Sequence, residues 1–128
     1  MKLRCIHNSI RLRLRKSELD QLSQGQAVQE AVGFPNTTPG LIFALALGMD
    51  VATIDARLEG HVIQITLPDQ LALSWINSME VSIEADIPLD NGEYLHILVE
   101  KDFPCKDREG EDKSDLFEDL ANGSAKVC

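Results

Sequence analysis

Aromatic side chains are scarce in this sequence: four Phe, one Tyr and one Trp among 128 residues. A core built from it must be aliphatic, and the 44% hydrophobic content can fill one at this length without disulfide or metal staples. Cysteine is scarcer still. Cys5, Cys105 and Cys128 make an odd number that fits no even disulfide framework. The first seven residues are too short and too polar for a signal-peptide apolar region, so reduced thiols in a cytoplasm are the expectation. The longest apolar stretch, residues 41–47, is far below the ~20 residues of a membrane span, and membrane insertion is not expected. No C-x-x-C or H-x-x-x-H pair, phosphate-binding glycine loop, nucleophile elbow or dinucleotide fingerprint is present.

What the chain does have is acidic charge, unevenly placed. The net charge is −9, yet residues 1–16 hold six basic groups (Lys2, Arg4, Arg11, Arg13, Arg15, Lys16) and no acidic one. The rest of the chain therefore carries −15. Such a surface repels nucleic acid phosphates everywhere except along the basic N-terminal strip.

Alternation of apolar and polar residues predicts strands. Residues 2–7 and 10–14 flank Asn8-Ser9, a turn-forming pair. In the second, Ile10, Leu12 and Leu14 lie on one face and Arg11, Arg13 and Arg15 on the other. Ser17 reads as a helix N-cap, with Asp20 as a capping-box variant and Gly25 as the stop. Residues 27–34 resume strand character, 35–40 form a loop by composition, and 41–47 favour a buried strand. The order then starts again. Ala52, Ile54, Ala56 and Leu58 alternate with polar residues, Gly60 turns the chain, and residues 62–66 return. Pro68 sits near the start of a second helix with Leu71, Trp75 and Ile76 on its apolar face. Val81, Ile83 and Ala85 lead to the hairpin turn Asp90-Asn91-Gly92 and a last strand with Leu95, Ile97 and Val99 inward. His96, Glu100 and Asp102 would face outward, and Phe103 would plug the edge of the core.

Both halves thus run strand, strand, short helix, strand, strand, offset by 51 to 53 residues: Leu14 matches Ile65, Leu19 matches Leu71, and Val28 matches Val81. The expected fold class is α+β, with about eight short, mainly antiparallel strands and two short helices. A pseudo-duplicated small β-barrel and an open pair of sheets both fit that pattern. The expected domain is 1–104, with pseudo-halves at about 1–48 and 51–104. Residues 105–128 read as an acidic, flexible tail: 106–128 hold seven acidic and four basic residues and few large apolar ones.

The segment Asn8-Ser9-Ile10-Arg11-Leu12-Arg13-Leu14-Arg15-Lys16-Ser17-Glu18-Leu19, continued by Gly25, Val28 and Val32, resembles the opening of AbrB/MazE-type transcription factors. His7 stands where that family has glycine. The resemblance implies swapped hairpins and basic strand residues, here Arg11, Arg13 and Arg15, presented to DNA. Over its length the chain is also similar to a bacterial family of unknown function. That similarity rests on the Lys-Leu-Arg start, Asn8-Ser9-Ile10-Arg11-Leu12-Arg13-Leu14, Leu98-Val99-Glu100-Lys101-Asp102-Phe103-Pro104-Cys105 and an acidic end.

Three sets of residues could carry chemistry. Arg11, Arg13 and Arg15 form a ridge suited to phosphate or carboxylate, or an outer sheet face paired with acidic neighbours such as Glu84, Asp86 or Glu30. Cys5 and His7 would share a strand face as N/S metal ligands, with His96 or Cys105 completing a zinc-like set, or simply be structural. Cys105, between Lys101 and Lys106, is the candidate nucleophile, with His96 or His61 as base, or a structural thiol. No cofactor is implied. The leading expectation is a non-enzymatic cytoplasmic domain whose partner is another protein. DNA binding through Arg11, Arg13 and Arg15 is the alternative, and a thiol-dependent enzyme centred on Cys105 the third. A fused pseudo-dimer would be a monomer.

Overall fold

Apolar residues at alternate positions pull every strand pair of this chain into one of two four-stranded sheets. The computed structural model describes residues 1–103, and the tail with Cys105 lies outside the described residues. In chain order the elements are β1 (Lys2–Ile6), β2 (Ser9–Leu14), α1 (Lys16–Ser23), β3 (Val28–Phe34), β4 (Thr37–Gly48), β5 (Asp55–Glu59), β6 (Val62–Pro68), α2 (Asp69–Ile76), β7 (Ser82–Pro88) and β8 (Tyr94–Lys101). The first sheet has the order β1-β2-β8-β7 and the second β3-β4-β6-β5. The fold is α+β, as expected, and among the described residues the strands form two sheets with no ladder between them.

Each half of the chain gives one hairpin to each sheet. The four hairpins are antiparallel, while the central pairs β2/β8 and β4/β6, which join the halves, are parallel. A two-fold exchange of the halves therefore exchanges the sheets. The helices place the offset at 53 residues, since Lys16–Ser23 becomes Asp69–Ile76. Leu12 and Leu14 then match Ile65 and Leu67, and Leu19 and Leu22 match Ala72 and Trp75; all eight are buried. This corrects the pairing of Leu14 with Ile65 and of Leu19 with Leu71, which is 43% exposed. Hydrophobic identity made Leu71 attractive, but the helix turns Ala72 and Trp75 inward.

The core lies between the sheets and under the helices, centred on Leu12, Leu14, Leu45, Ile65, Leu67, Trp75, Ile97 and Val99. Each such side chain contributes about 1.5–3 kcal/mol on leaving water. Inward alternation fails at the strand ends. Leu58, expected on a core face, is 74% exposed, and Val81 and Phe103 are also exposed.

Local signals shift by a residue or two. The first turn is His7-Asn8, not Asn8-Ser9, and His7 has φ +52°, the left-handed conformation that favours glycine. The cap of α1 is Arg15 rather than Ser17, because Glu18 at the third helical position accepts a hydrogen bond from the Arg15 backbone N–H at 2.9 Å. Gly25 ends α1 as expected, at φ +82°. The N–H groups of Gly25 and Gln26 bond the carbonyls of Leu22 and Gln21 in the 5→2 and 6→1 pattern of a Schellman motif. The loop expected at 35–40 is only a tight turn, since β4 already starts at Thr37.

Candidate functional site

Alternation along the first sheet puts Leu3, Leu12, Val99 and Ile83 inward, so the intervening residues share the outer face. Its register gives three rows from β1 to β7: Lys2, Arg13, Glu100, Ser82; then Arg4, Arg11, Leu98, Glu84; then Ile6, Ser9, His96, Asp86. With Asp102, which pairs with Lys2 at 3.1 Å, the described part of this face holds four Lys or Arg cations and four carboxylates. Cations occupy the β1/β2 side. Two of the carboxylates sit on β7, at the opposite edge.

Glu100 joins the two sides. Its Oε1 lies 2.5 Å from Arg13 Nε and 3.8 Å from Arg11 Nε, and the residue is only 7% exposed. A carboxylate that far out of water is tolerated because guanidinium partners meet it and their stems cover it. Glu100 lies on the outer face as expected, but it is covered there and not exposed. Arg15 is exposed and lies 3.5 Å from Glu18. The arginine strip is thus an ion-paired outer face, but its partners are Glu100 and Glu18 rather than Glu84, Asp86 or Glu30. Arg4, exposed on the edge strand, has no ion pair among the described residues.

Glu84 and Asp86 instead hold His96. Asp86 lies 2.7 Å from Nδ1 and Glu84 3.2 Å from Nε2. This pairing was readable: counting outward from Asp90-Asn91-Gly92 sets Asp86 opposite His96. Glu100 was not, because its neighbour β2 comes from the other end of the chain and pairs in parallel.

Beside this face, α1 is tied to the start of the chain. The Met1 ammonium is buried and bonds Glu18, and lies 3.0 Å from Glu30. Burial pushes the Glu18 carboxyl up. The Arg15 N–H, the ammonium and the Arg15 charge outweigh that and hold it below its ordinary value.

At the turn end of the first sheet, Ile6, His7, Asn8, Ser9, Tyr94 and His96 line an open depression. Asn8 Nδ2 donates to Glu93 at 2.8 Å across it. Cys5 is an exposed free thiol on β1, and His7 lies in the turn after that strand rather than on its face. Among the described residues no group of three or more His, Cys, Asp or Glu is placed to hold a metal ion. Nor is any helix of the described residues long and apolar enough to cross a membrane.

The profile of a family of unknown function, DUF7009, matches residues 1–121. The chain belongs to that family. The match takes in both the Asn8-to-Leu14 segment and the closing Leu98-to-Cys105 segment that suggested such a family. No curated protein and no solved structure matches the chain. For this DUF7009 member, then, the outer face of the first sheet gathers four cations and four carboxylates among the described residues.

Proposed function

We infer that this DUF7009 domain is a non-enzymatic protein-binding module and that the outer face of the first sheet is its contact surface. One observation carries the reading: the two central strands of the second sheet do without these charges. At the equivalent positions, 53 residues on, Gln64 and Thr66 stand for Arg11 and Arg13. Across the parallel pair, Ile42, Ala44 and Ala46 stand for His96, Leu98 and Glu100. A sheet of the same topology holds with neutral side chains on its central strands and charges only on the edge strand β5 (Asp55, Arg57 and Glu59), so the central charges of the first sheet serve something other than folding.

Its chemistry suits a polypeptide. Cations and carboxylates are equal in number on the face, so a polyanion gains little from counterion release against it. A protein surface of mixed sign can match both halves at once. To test this, wild-type protein and two reversed variants, Arg4→Glu and Glu84→Lys, are used as baits beside a second-sheet control, Gln64→Lys. Proteins retained by wild type and by the control, and lost from both reversals, are the expected result. Partners that survive both reversals would place the contact elsewhere. A DNA gel shift at low salt that vanishes in Arg11→Ala/Arg13→Ala/Arg15→Ala would replace this reading with the nucleic acid one.

A further inference from the structure

We propose that the outer face of the first sheet docks on the same face of a second copy of this chain, giving a weak, salt-sensitive two-fold dimer. The proposal rests on the protein-binding reading of that face and names the partner. The argument is the register. A two-fold dimer is isologous, so each residue type must meet its complement on the same patch. Consider two copies packed face to face about an axis that runs along the strands between β2 and β8. That operation keeps each row at its level and reverses its order. The row Arg4, Arg11, Leu98, Glu84 then meets Glu84, Leu98, Arg11, Arg4.

Arg4 of each copy faces Glu84 of the other, and Arg11 covers Leu98. The row Lys2, Arg13, Glu100, Ser82 sets Arg13 against the Glu100 of the second copy, adding to the pair each copy already makes. In the third row Ser9 meets His96 and Ile6 meets Asp86. The other two-fold axis, across the strands, would set β1 on β1 and stack like charges, so the face selects one orientation. The matching row of the second sheet is Arg57, Gln64, Ala44, Gln29, which keeps the edge cation but has no carboxylate at the opposite edge to meet it.

Size sets the strength. Four strands ~4.8 Å apart and about five residues at ~3.3 Å span a face of roughly 300 Å². Even with side-chain relief this falls in the class of small, transient interfaces. Charge pairs at its rim are screened within ~8 Å at physiological salt and within ~3 Å at 1 M.

Sedimentation equilibrium of the full chain tests this, from low micromolar to high micromolar concentration at low salt and at 1 M salt. The expected result is a monomer–dimer equilibrium at low salt that moves to monomer at high salt. Arg4→Glu alone and Glu84→Lys alone should each weaken it by about tenfold or more, since either change removes both symmetry-related charge pairs. Mixing the two variants should restore a heterodimer, because each supplies the charge the other lacks. Both residues are exposed, and unchanged melting curves would show that folding is intact. A monomer at every concentration and at low salt overturns the dimer. So does a dimer that neither variant weakens, or two variants that do not rescue each other. The protein-binding reading fails separately, by baits whose partners ignore Arg4 and Glu84.

Discussion

The two helices occupy equivalent places in the two halves, yet their ends are built from opposite chemistry. At α1 the position after β2 is Arg15, the third helical residue is the buried Glu18, and the inward residues are Leu19 and Leu22. At α2 the equivalents are Pro68, the half-exposed Leu71, Ala72 and Trp75. The first end is closed by ions: Glu18 gathers the Arg15 N–H, the Arg15 guanidinium and the Met1 ammonium. The second is closed by volume. Trp75 is 1% exposed, and its Nε1 donates to the Val81 carbonyl at 3.1 Å. One topology therefore accepts either solution, and sequence identity between the halves is low because the two ends share a shape and not a chemistry.

The contrast breaks most visibly at Trp75. Trp75→Ala should cost about 3–5 kcal/mol in urea unfolding, since the cavity of the largest buried side chain cannot close over Ala72. Leu22→Ala, the same position at α1, should cost about 2–4 kcal/mol. Trp75→Phe keeps most of the volume and removes one of the two donors on the Val81 carbonyl, which the Lys101 N–H still bonds at 2.9 Å, a loss of about 0.5–1.5 kcal/mol. Equal losses at Trp75 and Leu22 on truncation would mean the two ends carry the same apolar load.

At α1 the decisive group is a charge. Glu18→Gln should destabilise by about 2–3 kcal/mol at neutral pH, because the Met1 ammonium stays buried with Glu30 as its remaining partner. The sign of the pH dependence follows from the direction of the shift. Glu18 is held below its ordinary value in the folded protein, so its contribution is complete above the unfolded carboxylate range and is lost as pH falls through the folded value. The gap between wild type and Glu18→Gln should be full near pH 7 and close on acidification. Trp75→Phe should show no such closing. A gap that is flat with pH would show that shape, and not charge, matters at Glu18.

Much of this was legible in the sequence, and what was not has a common cause. Strand alternation at Ile10, Leu12 and Leu14 and at Leu95, Ile97 and Val99, the turn at Asp90-Asn91-Gly92 and the stop at Gly25 are local signals, and each found its element. The misses need a neighbour from far along the chain. Glu100 is an outward acid as read, but its burial shows only when β2 lies beside β8 in parallel and Arg13 reaches it. Glu18 carries no local signal of its buried pairing, which forms only when Met1 folds onto it. Leu71 reads as core because it is apolar, and only the rotation of a short helix against the sheets favours Ala72. Arg11 and Arg13 were found as a feature, and their role turned on partners that spacing does not reveal.

The smallest expected effect probes how the volume-filled end treats charge. Lys101, at the end of β8, reaches the C-terminus of α2: its Nζ donates to the Ser78 carbonyl at 2.7 Å and lies 5.7 Å from the centre of the Trp75 ring. A cation there meets the negative end of the helix dipole and the negative face of the indole together. Lys101→Met keeps the stem and removes the charge, and should cost about 0.5–1 kcal/mol at low salt. The double-mutant cycle with Trp75→Phe separates the two contributions. The helix-end attraction survives in the Phe background, while the ring attraction weakens, so a coupling of about 0.5 kcal/mol is expected. A coupling of zero would assign Lys101 wholly to the Ser78 carbonyl, leaving α2 closed by volume alone. A positive coupling would mean that even this apolar end borrows one charge, as α1 does in full.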